Sequence, residues 1–258
     1  MKSESKSPSY IIFCIIILSV CTIFSNCTDS QSFSILNKHK KYTKLNLSHK
    51  HLTEIPPYVF KLEDLEILIL HDNKLTNIPY EITELKNLKK LVLSRNDLIE
   101  IPGYIGQLNK LEQLSLKANK ITKIPESFGN LKKLEVLNLS FNQLEKIPES
   151  ICNMALLYSL LISYNRLTQL PADIYKLQNL RELEINNNHL KSIPPSFYKL
   201  KLFYLNIFQA GPELSFTNEI CDMRLLEKLT VDIATWNFLP NCIAIRASNN
   251  SRFSISIK

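Results

Sequence analysis

Glycine is scarce in this sequence: the 258 residues contain four, at Gly103, Gly106, Gly129 and Gly211. Loops that cradle phosphate groups need closely spaced glycines, as in G-x-x-x-x-G-K-[ST] or G-x-G-x-x-G, and the sequence has neither pattern. The scarcity therefore excludes nucleotide-binding enzymes of those two classes.

The excess of positive over negative charge is also small. The net charge is +7, from 31 Lys and Arg against 24 Asp and Glu, and the two signs alternate along most segments. A nucleic-acid-binding face needs a basic patch or stripe, so no nucleic-acid partner is predicted. The apolar fraction of 45% is too high for a disordered chain and predicts a core.

The apolar run near the amino terminus, from Tyr10 to Phe24, has fifteen residues, short of the roughly 18 to 20 that a membrane-spanning helix needs. Two lysines precede it, as is typical of a secretory signal. The run ends in Phe24-Ser-Asn-Cys27, which resembles the relaxed, spirochaete-type lipoprotein cleavage box. The resemblance implies a signal segment over residues 1–27 and a lipid on Cys27. Cleavage near Cys27 without a lipid and an uncleaved anchor are the alternatives.

A 23-residue period runs through the middle of the chain. Each copy reads L-x-x-L-x-[LI]-x-x-N-x-[LI]-x-x-[IL]-P-x-x-[IF]-x-x-[LM], numbered from position 1 at its first leucine. The strict copies begin at Leu65, Leu88, Leu111, Leu134, Leu157 and Leu180. Positions 4 and 6 share one face of a strand, and positions 3, 5 and 7 share the other. One coil cannot bury its apolar face alone, so the coils must stack, which predicts a concave wall of about eight parallel strands, roughly 35 to 40 Å long.

This repeat resembles the leucine-rich repeat family, in its 23-residue form with an Ile-Pro step as in bacterial surface proteins, over residues 42–241. The resemblance implies an α/β fold class: a solenoid of about eight or nine coils with a parallel sheet on its concave face and irregular or 3-10 segments on its convex face. Position 9 is where a buried amide satisfies backbone groups of adjacent coils. It predicts a structural ladder of Asn73, Asn96, Asn119, Asn142, Asn165 and Asn188.

Both ends depart from the repeat. Residues 28–41 are polar and predict an amino-terminal cap or linker, and Lys50 replaces Asn in the first coil. After the last coil, alternating apolar residues in the segment 242–258 predict a β-hairpin that caps the core. Cys152 and Cys221 are three repeats apart and too distant to bond, whereas a bond between Cys221 and Cys242 is left open.

The displayed side of the wall carries an aromatic and aliphatic patch. Phe141 and Tyr164 share position 8 of successive coils, and such a patch is a typical protein-binding anchor. Its predicted neighbours are Val136, Leu161, Glu182, Glu184, Tyr204 and Phe208, with Lys90, Arg95 and Lys117 on the other side. The alternative is that the two rings only pack on each other along the sheet.

His49, His71 and Asp72 lie in the first two coils, and their side chains are of the types that bind zinc, so we consider a metal site there. The alternative is that the histidines are solvated surface residues. The chain has no catalytic triad or dyad on one position of neighbouring coils, so neither an enzyme nor a cofactor is predicted.

These patterns together predict an exported protein-binding module that acts by adhesion or by binding a host or envelope partner. It would be anchored through lipid on the outer membrane or cell surface or in the periplasm of a bacterium, with simple secretion as the alternative. An intracellular scaffold or signalling regulator of the same repeat type is the second hypothesis. A secreted eukaryotic glycoprotein is disfavoured, because its sequons at Asn46 and Asn138 would place glycans on the concave wall.

Overall fold

In each repeat a strand begins at position 3, because the recurring apolar residues at positions 4 and 6 must lie on one buried face. The computed structural model describes residues 41–212 and 214–258. Within them, one sheet has ten strands in chain order, all parallel: Lys44–Asn46 (β1), Ile67–Ile69 (β2), Lys90–Val92 (β3), Gln113–Ser115 (β4), Val136–Asn138 (β5), Ser159–Leu161 (β6), Glu182–Glu184 (β7), Tyr204–Asn206 (β8), Lys228–Val231 (β9) and Ser254–Ile257 (β10). The leucine-rich repeat solenoid is thus confirmed, with more strands than the predicted eight.

The return path of each of the first eight coils contains a short 3-10 helix, which in most coils follows the proline. These helices span Pro57–Lys61, Tyr80–Glu84, Gly103–Gln107, Glu126–Asn130, Glu149–Asn153, Ile174–Lys176, Pro195–Lys199 and Asn218–Asp222. The proline before most of them lacks an amide donor and is fixed in an extended conformation, so it ends the preceding segment. The apolar residue at position 18, such as Phe128, is fully buried against the leucines of the strands. The core is therefore a continuous layer between the sheet and the 3-10 arcs.

The asparagines at position 9 connect neighbouring coils. In the middle of the sheet, the Asn119 Nδ2 donates to the carbonyl of Leu93 in the preceding coil at 3.0 Å and to that of Leu116 in its own coil at 2.9 Å. Its Oδ1 accepts from the Leu98 amide at 3.1 Å. The side chain thus forms hydrogen bonds with backbone donors and acceptors that would otherwise be buried in the tight turn without partners.

The eighth coil has no asparagine at position 9, and main-chain groups take its place. Ala210 stands at position 9, and its carbonyl accepts from the Leu190 amide at 2.8 Å, where an asparagine Oδ1 serves in the other coils. The backbones approach so closely that a Cβ on Gly211 would lie 1.9 Å from the Leu190 oxygen. Glycine is therefore required beside Ala210, and the irregular coil keeps the ladder without its amide.

The β-hairpin predicted for the segment 242–258 is wrong. Two helices follow β9, Ile233–Asn237 (α1) and Asn241–Asn249 (α2), and β10 pairs in parallel with β9 rather than antiparallel with a neighbour. A parallel pair needs a crossover connection, and α2 is part of that crossover. The alternation of Ile243 and Ile245 is too short to distinguish a strand from a helix, and only Ile243 is fully buried.

The carboxy-terminal elements are fixed in two ways to the end of the eighth coil and the start of the ninth. Cys221, in the last 3-10 helix, forms a disulfide bond with Cys242 in α2, which answers the question that the sequence left open. The Arg246 guanidinium donates to the carbonyls of Met223, Arg224 and Leu226 at 2.6 to 2.9 Å. Residues 42–258 consequently form one compact unit, and the proposed cap is part of it.

No helix within the described ranges is long and apolar enough to cross a bilayer. The predicted signal segment 1–27 with Cys27, and residues 28–40 of the predicted cap, lie outside the described residues.

Candidate binding face on the concave wall

The concave wall is the set of side chains at positions 3, 5, 7 and 8, which lie on the displayed side of the sheet. In β5, Val136 and Asn138 are half-buried while Leu137 between them is fully buried. Parallel pairing in register sets equivalent residues side by side, so that Leu161 lies between Asn138 and Glu184. The wall is therefore a set of rows that cross the strands, one row for each position.

Position 8 adopts a left-handed backbone in every coil from the first to the eighth. The position-8 residues, all with φ between 49° and 59°, are His49, Asp72, Arg95, Ala118, Phe141, Tyr164, Asn187 and Gln209. Among residues other than glycine, Asn, Asp and His tolerate this conformation best, and bulky side chains adopt it at an energetic cost. Sequence reasoning missed this feature, although His, Asp and Asn in one row were a signal for it.

Hydrogen bonds to both neighbouring coils impose the left-handed backbone on Phe141 and Tyr164. The Phe141 amide donates to the Ser163 carbonyl at 2.8 Å, and the Phe141 carbonyl accepts from the Asn119 amide at 3.2 Å. Tyr164 has the same pair of bonds one coil further along, to Asn186 and Asn142. Aromatic residues thus stand where local preference disfavours them, held by the stacking of coils, which is a pattern associated with functional sites.

The two rings form a parallel stack on the open side of the wall. Their centroids are 4.2 Å apart with 9° between the planes, and 44% of Phe141 and 45% of Tyr164 remain exposed. The Lys117 Nζ lies 5.2 Å from the Phe141 ring centroid, within cation–π range. The stack is therefore rigid, apolar, accessible and bordered by a cation on the side of the earlier coils.

Two carboxylates lie on the side of the later coils. In β7, Glu182 accepts a hydrogen bond from the Ser159 hydroxyl at 2.6 Å. Burial raises the pKa of Glu184, the negative charge of Glu182 adds to this rise, and a hydrogen bond from Tyr204 opposes it. Burial and the neighbouring Glu184 also raise the pKa of Tyr204. This part of the wall is negative and partly desolvated.

The other predicted site residues lie around these groups but are less accessible. Tyr204 belongs to β8, next to Glu182 in the register, and is half-buried. Phe208 is half-buried at position 7 of the same coil, where its amide donates to the Asn206 Oδ1 at 3.2 Å. Val136 and Leu161 are half-buried within β5 and β6. Phe141 and Tyr164 are therefore the most exposed apolar groups of the predicted set.

His49 of the first coil forms a hydrogen-bonded pair with Asp72 of the second, and His71 contacts His49 through its ring. The His49 Nδ1 lies 2.6 Å from the Asp72 Oδ2, and the His71 ring contacts His49 edge to face at 5.4 Å. The hydrogen bond from His49 lowers the pKa of Asp72. Among the residues that the structure describes, no group of three His, Cys, Asp or Glu side chains is arranged to hold a metal ion, so the metal hypothesis for His49, His71 and Asp72 finds no donor set.

Known proteins resemble this chain in sequence and in fold. The profile of the family described as leucine rich repeat matches residues 41–98, 101–144 and 155–209. A leucine-rich repeat protein of the bacterium Leptospira interrogans superposes with a TM-score of 0.64 at 29% identity, covering 89% of this chain and 63% of that one. The plant peptide hormone receptor RGFR1, solved in complex with RGF2, has a TM-score of 0.69 at 31% identity and covers 83% of this chain and 35% of the receptor chain.

Internalin C2 of Listeria monocytogenes shares the fold alone, with a TM-score of 0.62 at 23% identity over 73% of this chain and 80% of that one. No curated protein matches the sequence. The chain spans less than two thirds of the length of the Leptospira protein and about a third of the plant receptor.

Proposed function

The chain belongs to the leucine-rich repeat family, and on this premise we propose that it is an exported module that binds a protein partner through its concave wall. Proteins of this architecture are interaction scaffolds whose curvature creates extended binding surfaces. The plant receptor that resembles this chain was solved with a peptide hormone, which supports a polypeptide as the ligand class. The family is not an enzyme family, and the wall offers a surface rather than an enclosed pocket.

The observation that carries the proposal is the stack of Phe141 and Tyr164. Both rings occupy left-handed backbone positions where the same row elsewhere holds Asp72 or Asn187, so the fold itself does not require aromatic side chains there. Rigid aromatic groups lose little conformational entropy on binding and dominate hot spots in interfaces. A surface that retains two such groups, at a local backbone cost, is best explained by a partner that covers them.

The charges beside the stack would orient that partner. Lys117 lies on one side of the rings, and Glu182 and Glu184 lie on the other side, in β7, one coil after Tyr164. A partner with an acidic group towards the early coils and a basic group towards β7 would bind in one direction, because the reversed orientation places like charges together.

Attachment to a bacterial envelope is the second part of the proposal. It is supported by the sequence that ends in Cys27 and by the resemblance to the protein of Leptospira interrogans. The Cys221–Cys242 disulfide bond favours an oxidising compartment over the intracellular scaffold that is the alternative. We expect Cys27→Ala to release the protein from membranes, so that it partitions into the aqueous phase instead of the detergent phase. Unchanged partitioning, or a mature chain that begins at another residue, would exclude the lipid anchor.

Binding through the stack is tested with the double variant Phe141→Ala, Tyr164→Ala. Alanine is compatible with the row, because the chain itself has Ala118 at the same position with φ 57°. We expect the circular dichroism spectrum to be unchanged and the affinity for a partner recovered by pull-down to fall by about 2 kcal/mol or more, roughly thirtyfold. Tyr80→Ala is the matched control, since Tyr80 is 59% exposed and also contacts another aromatic ring, on a 3-10 helix away from the wall.

Two results would contradict this assignment. If the double variant melts far below the parent, the two rings belong to the packing of the sheet and need no partner. If it binds as well as the parent does, the contact surface lies elsewhere on the solenoid.

A further inference from the structure

A second surface lies outside the concave wall, on the edge of the solenoid where the strands begin. It consists of the residue at position 2 of each repeat and the residue that precedes position 1, and we call it the entry edge. Consecutive position-2 residues are direct neighbours: the Tyr158 amide donates to the Glu135 carbonyl at 2.8 Å, and the Arg181 amide donates to the Tyr158 carbonyl at 2.9 Å. Side chains at position 2 therefore form a continuous row, one for each coil.

The chemistry of this edge changes along the solenoid. In the earlier coils its residues are charged or polar, and Lys89 forms an ion pair with Glu66 at 3.0 Å. In the later coils the edge also carries exposed apolar side chains between its polar ones: Leu156 is 47% exposed, Tyr158 50%, Phe203 39% and Leu225 46%. The backbone position is the same in both halves, so the stacking of coils does not require the apolar side chains.

Around Tyr158 the charges follow a distinctive order. Glu135, Tyr158 and Arg181 stand at position 2 of three successive coils, giving an acid, an aromatic ring and a base in a row. These three residues, with Leu156 and Asn179, line a shallow depression. Arg181 is held in place, because its Nη1 donates to the carbonyls of Gln178 and Leu180 at 2.8 and 3.0 Å.

From this order we propose that the entry edge binds the entry edge of a second copy of the chain, in a two-fold dimer centred on Tyr158. A two-fold rotation about Tyr158 reverses the row, so Glu135 of each copy meets Arg181 of the other and the two Tyr158 rings meet at the axis. An interface with this symmetry requires a surface complementary to itself, and an acid and a base on opposite sides of an apolar centre satisfy that requirement. The row lies outside positions 3, 5, 7 and 8, so each copy keeps its concave wall for a separate partner.

The first experiment measures the mass of the purified protein by sedimentation velocity over a hundredfold range of concentration. We expect the parent to shift reversibly from monomer to dimer. Tyr158→Glu and Leu156→Lys are expected to weaken dimerisation at least tenfold while the circular dichroism melt is preserved. The chain itself has Glu112 and Lys133 at the equivalent positions of earlier coils, so both substitutions copy residues that the fold already accepts.

The second experiment exchanges the charges. Glu135→Arg leaves two basic groups facing each other, and Arg181→Glu leaves two acidic groups, so neither variant alone is expected to dimerise. Mixed in equal amounts, the two variants should form a one-to-one heterodimer, because each Arg then faces a Glu. A misfolded variant cannot produce this recovery.

The proposal is overturned if the parent stays monomeric over the whole concentration range, a result that would leave the edge to a different protein. It is also overturned if the Tyr158→Glu variant dimerises like the parent, or if the mixture of the charge variants remains monomeric.

Discussion

The rings of Phe141 and Tyr164 lie parallel at 4.2 Å, although 23 residues separate them in the sequence. The repeat converts that sequence distance into the spacing of adjacent strands, about 4.8 Å, so residues at one position of successive coils become neighbours. The stack is a direct consequence of two aromatic residues at position 8. Its exposure, rather than its existence, is what points to a partner.

Loss of a single ladder asparagine should destabilise the solenoid. Asn119→Ala removes the donor to Leu93 and Leu116 and the acceptor for the Leu98 amide. We expect the free energy of unfolding to fall by about 1 to 3 kcal/mol, because buried backbone groups are left without partners. Urea denaturation followed by circular dichroism measures the change.

The control for this prediction is the adjacent residue, Lys120→Ala. It removes only an exposed ion pair with Asp97 at 2.7 Å, which is worth less than about 1 kcal/mol. Coincident denaturation midpoints for Asn119→Ala and Lys120→Ala would mean that the amide contributes nothing in this coil.

Much of this architecture follows from the repeat alone. Leucines at positions 4 and 6, such as Leu114 and Leu116, predict the buried face of a strand, and both are buried. The family and the solenoid fold are confirmed for the same reason: six strict copies leave one solution that buries every apolar face.

The features that sequence reasoning missed depend on local or unrepeated geometry. The left-handed turn at position 8 has no strict residue signature, because Arg95 and Phe141 adopt it as well as Asp72. The carboxy-terminal segment has no second copy for comparison, so its alternating apolar residues predict a hairpin, whereas Ile243 belongs to α2. The Cys221–Cys242 bond, which the sequence leaves open, joins a 3-10 helix to α2, and no spacing rule decides such a pair from the sequence alone.

The 3-10 arcs of adjacent coils pack so closely that two glycines three residues apart should respond differently to the same substitution. A Cβ on Gly106 would lie 2.3 Å from the carbonyl oxygen of Ser127, whereas a Cβ on Gly103 would lie 3.6 Å from the Ser127 hydroxyl. We expect Gly106→Ala to cost about 1 to 3 kcal/mol of stability through overpacking.

Gly103→Ala serves as the matched control and should be neutral or stabilising by up to about 1 kcal/mol, since it only restricts the unfolded chain. Thermal unfolding of the two variants under identical conditions makes the comparison. Equal midpoints would show that the arcs separate without cost and that the close approach at Gly106 is not a constraint.

The disulfide bond should stabilise the carboxy-terminal end. Cys221 and Cys242 are 21 residues apart, and closing a loop of this size is worth roughly 3 kcal/mol in the chain-entropy account. We expect a reducing agent to lower the thermal midpoint of the parent and to leave the midpoint of a Cys221→Ser, Cys242→Ser variant unchanged. A parent that melts at the same temperature with and without reductant would contradict this contribution.

The thiol of Cys152 gives an internal check on that experiment. Cys152 is buried, and burial raises its pKa to about 12, with the charges of Glu149 and Asp173 adding to the rise. The thiolate is the reactive form, so Cys152 should resist alkylation at pH 8 in the folded protein and react once urea unfolds it. Peptide mass spectrometry identifies the alkylated site, and rapid native labelling at Cys152 would show that its coil opens.

Two carboxylates of the wall should give opposite pH dependence of stability. The pKa of Glu184 is raised by burial first and by Glu182 second, against the opposing effects of Tyr204, Lys117 and Lys258. Between its unfolded value and its higher folded value, the folded protein holds more protons, so the free energy of unfolding falls as the pH rises through that window. Glu184→Gln should therefore be more stable than the parent at neutral pH, and the difference should vanish below the unfolded pKa near 4.5.

For Asp72 the sign is reversed. Its hydrogen bond to His49 lowers its pKa below the ordinary value of 3.8, so the unfolded protein holds more protons between the two values and stability is lost as the pH falls through the folded pKa. Asp72→Asn should accordingly be less stable than the parent at pH 5, with the difference shrinking towards pH 2, while asparagine still suits the left-handed backbone at this position. Urea midpoints of both variants and the parent from pH 2 to 7 make the measurement. Difference curves for Glu184→Gln and Asp72→Asn that share one sign at pH 7 would mean that burial at Glu184, or the hydrogen bond at Asp72, does not control the ionisation of its carboxylate.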